Sequence, residues 1–87
     1  MNEKSLDSLQ AKLDEFYEWP TRYPFKFIAP LGRVNQLTEI FGGQPVTTRL
    51  SKSARYVSVS ADLEMASSAE VIALYRRAAE IEGVIAL

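Results

Sequence analysis

The chain has 87 residues, 47% of them apolar and 24% charged, with a formal net charge of −1; one domain is expected at this length. It contains no histidine and no cysteine, which removes disulfides, zinc sites with nitrogen or sulfur ligands, and nucleophile–base pairs built on either residue. No run approaches the roughly 20 apolar residues of a membrane span, and MNEKSLDSLQ lacks the apolar core of a signal peptide, so a cytoplasmic protein with no membrane partner is expected.

Leu6, Leu9, Leu13 and Phe16 recur at helical spacing, with Tyr17 widening the stripe. Trp19-Pro20 is the expected stop, because the residue before proline is pushed out of the helical region. Phe25, Phe27 and Ala29 alternate with Lys26 and Ile28 and give a first strand. Val34, Leu37, Ile40 and Phe41 give a second helix, closed by Gly42-Gly43. Val46, Thr48 and Leu50 alternate with Thr47 and Arg49 as a second strand, and Ser51-Lys52-Ser53 forms a polar turn. Val57, Val59, Ala61 and Leu63 alternate with Tyr56, Ser58, Ser60 and Asp62 as a third strand. This period of two predicts a sheet with one covered face. Ser67 and Glu70 have the spacing of a capping box ahead of Val71, Leu74, Tyr75 and Ala78. Gly83 ends that helix, and Val84-Ile85-Ala86-Leu87 is the last strand.

The organisation is therefore a helical extension over residues 1–20 and a domain over residues 21–87. The domain reads strand–helix–strand–strand–helix–strand, the split βαβ order of a ferredoxin-like α+β sandwich. Right-handed crossovers place two helices on one face of a four-stranded antiparallel sheet. The order 4-1-3-2 would put the first and third strands in the centre. The opposite face would carry Lys26, Ile28, Tyr56, Ser58 and Ser60, with the N-terminal helix lying against part of it.

Charge is unevenly spread. Residues 1–20 hold five acids against two lysines, and the remainder holds eight basic against six acidic residues. A balance this small is weak support for nucleic acid, which needs a concentrated basic face. Glu39, Asp62, Glu64, Glu70, Glu80 and Glu82 are dispersed over expected solvent positions, and no Walker-type loop or dinucleotide fingerprint occurs. A non-enzymatic binding role without cofactor or metal follows. Arg55-Tyr56-Val57-Ser58-Val59 shares a basic–aromatic start with the RNA-recognition-motif strand, which stacks bases on exposed aromatics. Only Tyr56 could stack here. Arg49, Lys52, Arg55 and Tyr56 are therefore the candidate residues for a nucleic-acid-binding alternative on the open sheet face.

Three stretches carry a family resemblance. They are Trp19-Pro20 with Tyr23-Pro24-Phe25-Lys26-Phe27-Ile28, then Ser51 to Ser60, then Tyr75 to Leu87. Over roughly residues 19–87 the chain resembles the YbeD-like family of small bacterial proteins. It departs from that pattern with Ser53-Ala54, where glycine is common. The resemblance implies a ferredoxin-like fold similar to the ACT domains that sense amino acids, and a link to lipoate metabolism; it supplies no catalytic residue. ACT-like domains bind effectors where first strand meets first helix, which here is Pro30-Leu31-Gly32-Arg33. A ligand there would touch the amides of Leu31 and Gly32, with Arg33 nearby, and such loops work across two copies, so a homodimer accompanies this reading. The plain alternative is a tight structural turn in which Pro30 sets direction and Gly32 relieves the geometry. The expected function is a small regulatory module for a small-molecule effector or a protein partner.

Overall fold

The computed structural model describes residues 3–87. Helix α1 spans Glu3–Phe16 and strand β1 spans Thr21–Pro30. A 3₁₀ turn, Leu31–Arg33, leads into helix α2, Val34–Glu39. Strands β2, Thr47–Leu50, and β3, Tyr56–Met65, follow. Helix α3, Ser68–Ala79, and strand β4, Ile85–Ala86, complete the chain. The four strands form one antiparallel sheet in the order β2-β3-β1-β4. The first and third strands are thus central, and read from the other edge the order is β4-β1-β3-β2.

The period of two decides which side is covered. Tyr23, Phe25, Phe27 and Ala29 of β1 lie opposite Leu63, Ala61, Val59 and Val57 of β3, and all eight are buried. Above them sit Leu37 of α2, Phe41 just beyond it, and Val71, Ile72, Leu74, Tyr75 and Ala78 of α3. Aromatic rings fill the centre: Phe25 meets Tyr23, Phe41 and Tyr75 edge-on, at centroid distances of 4.9, 6.2 and 5.4 Å. Edge-to-face pairs of this kind add to the burial of the rings themselves. The Tyr23 and Tyr75 hydroxyls lie 3.1 Å apart and satisfy one another inside this layer. Burial first, and the bond to Tyr23 second, push the Tyr75 phenol above its ordinary value. It stays protonated and belongs to the packing.

Both prolines of β1 sit where a missing N–H does no harm. The Ser51 amide donates to the Tyr56 carbonyl at 2.8 Å, which directs the backbone groups of Tyr56 toward β2. Alternation then directs those of Ser58, Ser60, Asp62 and Glu64 the same way. Pro24 and Pro30 face Asp62 and Tyr56 in the β1–β3 register, so neither proline removes a bond of that ladder.

Several elements differ from their sequence expectation. Strand β1 starts four residues before Phe25, because Tyr23 continues the alternation of buried positions through the exposed Pro24. Helix α1 stops at Phe16, before Trp19-Pro20. Phe16 is 76% exposed instead of facing the core, while Leu6 and Leu13 are buried in the common hydrophobic cluster. Helix α1 also does not cover the open sheet face. It packs beside α3, where Gln10 Nε2 donates to Ser68 Oγ at 3.4 Å, and Tyr17 reaches Tyr23 edge-on at 5.6 Å.

Strand β2 is exposed along its whole length, including Thr48 and Leu50, which were expected on the covered side. The six-residue α2 packs on β1 and β3, and the helical layer leaves β2 uncovered. Helix α3 begins as expected, with the Glu70 amide donating to the Ser67 hydroxyl at 3.2 Å. Strand β4 shrinks to Ile85–Ala86, although the Leu87 amide still donates to the Lys26 carbonyl at 2.9 Å.

Candidate ligand face

The face of the sheet turned away from the helices is built from the alternate residues of each strand. Lys26, Ile28 and Pro30 come from β1, Tyr56, Ser58 and Ser60 from β3, Thr47 and Arg49 from β2, and Ile85 from β4. Tyr56 is 47% exposed and Ile85 57% exposed. Two hollows adjoin here and share Ile28 and Tyr56. One, of about 290 Å³, is bordered by Arg49, Leu50, Ser51, Lys52 and Ser58. The other, of about 490 Å³, is bordered by Pro30, Gly83, Val84 and Ile85. A ring seated over Tyr56 would therefore have apolar surface on one side and two cations on the other. Arg49, Lys52 and Arg55 join no ion pair among the described residues, so the charge of this corner is uncompensated.

The turn from β2 to β3 holds Tyr56 in place. Its amide donates to Ser51 Oγ at 3.2 Å, the Ala54 amide to the Ser51 carbonyl at 3.0 Å, and the Arg55 amide to Ser53 Oγ at 3.4 Å. Ala54 adopts φ +59°, so the turn holds a non-glycine residue in a left-handed backbone. An L-residue in that region costs roughly 1–2 kcal/mol, and glycine gives back roughly 0.5–1 kcal/mol in entropy. Ala54→Gly should therefore stabilise the protein by about 0.5–1 kcal/mol, read as a higher denaturant midpoint at unchanged slope.

The candidate residues of the sequence separate into two groups. Arg49, Lys52 and Tyr56 converge on the first hollow, and Pro30 joins Tyr56 at the second. Arg55 lines neither hollow; its carbonyl accepts from the Leu31 amide at 2.9 Å. That bond ties the 3₁₀ turn to the β2–β3 turn and occupies one of the two amides expected to meet a ligand. Arg33 pairs with Glu82 at 3.6 Å and donates to Gln36 Oε1 at 3.3 Å, and Leu31, Gly32 and Arg33 line neither hollow.

Gly32 has no positive φ and no atom near a would-be Cβ. The geometric relief assigned to it falls instead on Gly83, which has φ +82° and would place a Cβ 2.6 Å from Pro30 Cγ. Among the described residues, no three side chains of metal-ligating type converge, and no helix is long and apolar enough to cross a membrane.

A larger cleft, of about 800 Å³, lies at the other end of the sheet. It runs between the last residues of β3, the loop at Gln44-Pro45, and Glu70, Ala73, Leu74 and Arg77 of α3. Sequence reasoning missed it. The signal present was the mismatch between the short alternation of residues 46–50, directly preceded by Pro45, and the longer alternation of residues 56–63.

The family comparison covers nearly all of this architecture. The model of a family described as a protein of unknown function (DUF493) matches residues 14–87. The chain belongs to the DUF493 family. The match takes in the end of α1, the whole sheet and both later helices. No curated protein and no solved structure matches the chain.

Proposed function

We propose that this DUF493 chain is a non-enzymatic binding module of the cytoplasm, regulatory in role, whose open sheet face takes an anionic ligand with a flat apolar body. The observation that carries the reading is the convergence of Tyr56, Ile28, Arg49 and Lys52 on one hollow, where neither cation joins an ion pair among the described residues. Apolar contact fixes the body of such a ligand, and the two cations select its charge. The element order and the central position of β1 and β3 support a ferredoxin-like fold, in keeping with the YbeD-like and ACT-like resemblance. The chain's lack of histidine and cysteine favours binding over catalysis.

The commitment of the Leu31 amide to Arg55 moves the preferred site from the 30–33 turn to the face beside it. A nucleic-acid ligand is the second reading, favoured by the pairing of a stacking aromatic with Arg49 and Lys52.

Thermal shift with aromatic carboxylates and nucleoside monophosphates tests the first reading. A ligand at 100 times its Kd should stabilise the parent by about 2.7 kcal/mol. The Arg49→Ala/Lys52→Ala variant should lose that shift while keeping its own melting temperature. Equal shifts in parent and variant would remove the site. A short single-stranded oligonucleotide separates the second reading, because its affinity should fall with salt by a logarithmic slope of about 0.7 per phosphate contacted.

A further inference from the structure

We propose that the free edge of β3 beside α3 receives an extended peptide segment of a partner protein, of alternating apolar and basic residues, as an added strand. The inference is independent of the ligand face. Its starting point is the register: β2 pairs with β3 only from Val57 to Ser60, and β3 continues to Met65. Residues Ala61–Met65 therefore have β1 on one side and, among the described residues, no strand on the other. The phase set by Ser51 and Tyr56 directs the backbone groups of Asp62 and Glu64 at that open side. Pro45 falls opposite Asp62 if the β2–β3 register is extended. It has no N–H to offer, so the protein's own chain cannot complete the ladder there. The Arg22 guanidinium donates instead to the Asp62 carbonyl and pairs with its carboxylate at 3.4 Å. An added strand would take the Asp62 carbonyl from this guanidinium, which blunts the edge while it is empty.

The cleft of about 800 Å³ lies along this edge. Strand addition between a sheet edge and a flanking helix is a recurrent mode of peptide recognition, in which main-chain bonds give affinity and alternate side chains give selectivity. Here the inward positions of an added strand would meet Leu63, Met65 and Leu74 over the small Ala73. The outward positions would lie beside Asp62 and Glu64, on the face that also carries Arg22. Arg22 already pairs with Asp62, and Glu64 joins no ion pair among the described residues, so the edge keeps a net negative charge that favours lysine or arginine in the outward positions, since opposite charges stabilise cross-strand pairs and like charges oppose them. The same argument disfavours a second copy as occupant: two such edges would set Asp62 and Glu64 of one against those of the other.

The probe is the synthetic peptide acetyl-Val-Lys-Val-Lys-Val-amide, with acetyl-Val-Glu-Val-Glu-Val-amide as its counterpart, added to the full chain labelled with nitrogen-15. The lysine peptide should shift the Asp62 and Glu64 amide resonances and slow their hydrogen exchange at least tenfold at saturation. The Leu63 and Met65 amides, already directed at β1, should keep their exchange rates. The glutamate peptide should bind at least tenfold more weakly. Ala73→Arg should abolish binding by filling the cleft from the helix side, and unchanged melting shows that the variant is folded. Absence of shifts at millimolar lysine peptide would overturn the proposal. So would equal binding of both peptides, shifts centred on Tyr56 and Ile28, or concentration-dependent protection of Asp62 and Glu64 in the protein alone.

Discussion

Gly83→Ala should destabilise the protein by about 2–5 kcal/mol, whereas Gly32→Ala should leave stability within about half a kcal/mol. Gly83 closes the turn between α3 and β4 with φ +82°, where an L-residue costs roughly 1–2 kcal/mol. Its would-be Cβ also falls 2.6 Å from Pro30 Cγ and 3.2 Å from Pro30 Cδ. A proline ring cannot swing aside as a long side chain can, so backbone must move, at an overpacking penalty of about 1–3 kcal/mol. Gly32 has open space and an ordinary backbone. For a domain of this size a loss of 2 kcal/mol lowers the melting temperature by about 8–16 °C. A Gly83→Ala melting temperature within 2 °C of the parent would show that Pro30 and Gly83 do not press on one another.

This pair of glycines shows what the sequence can and cannot carry. Pro30-Leu31-Gly32 looks like a junction that needs glycine because all three residues are adjacent in the chain. The close approach actually joins Pro30 to a residue 53 positions later, and nothing in local spacing reports it. The strands were legible where both faces of a residue's environment follow from period two, as in Phe25-Lys26-Phe27 and Val57-Ser58-Val59. Strand β2 shows the limit: Val46, Thr48 and Leu50 alternate correctly, yet burial also needs a helix above them, and α2 packs over the central strands. The turn at Ser53-Ala54 shows the opposite case. A left-handed backbone is held there without a glycine to mark it in the sequence, because the bonds around Ser51 and Ser53 fix it.

The ligand face was partly legible. Arg49 and Tyr56 could be placed on one side of the sheet from alternation alone, and Lys52 falls in the turn that joins their strands. Their convergence with Ile28 needed the order of the strands. Ile85 joins them because β4 pairs Ile85 with Ile28, a register that a four-residue apolar ending does not specify. The cleft beside α3 depends on where β2 stops relative to β3, and strand ends are set by pairing more than by composition. Its chemistry is nonetheless simple once seen: an unfilled ladder, an arginine set against it and an apolar floor.

Leu13→Ala should destabilise the protein by about 2–5 kcal/mol, the range for emptying a buried leucine site. Phe16→Ala should change stability by less than about half a kcal/mol. Both residues belong to the same periodic stripe of α1, and period alone ranks them together. The structure separates them: Leu13 is 4% exposed within the common cluster and Phe16 is 76% exposed at the helix end. Leu13 also shares its end of α1 with Tyr17, whose amide donates to the Leu13 carbonyl at 2.9 Å and whose ring stacks on Trp19 at 5.7 Å. Through Tyr17 and Tyr23 this corner continues into the aromatic centre of the sheet. If α1 were an appendage that melts by itself, Leu13→Ala would loosen the helix and leave the main transition in place. Packing into one cluster predicts instead a single transition that shifts as a whole, because small domains unfold cooperatively. Denaturant melts of both variants, followed by far-ultraviolet circular dichroism and by Trp19 fluorescence, check this. Coincident curves displaced to lower denaturant for Leu13→Ala alone are the expected result. Separate transitions in the two signals, or a larger loss for Phe16→Ala, would detach α1 from the core.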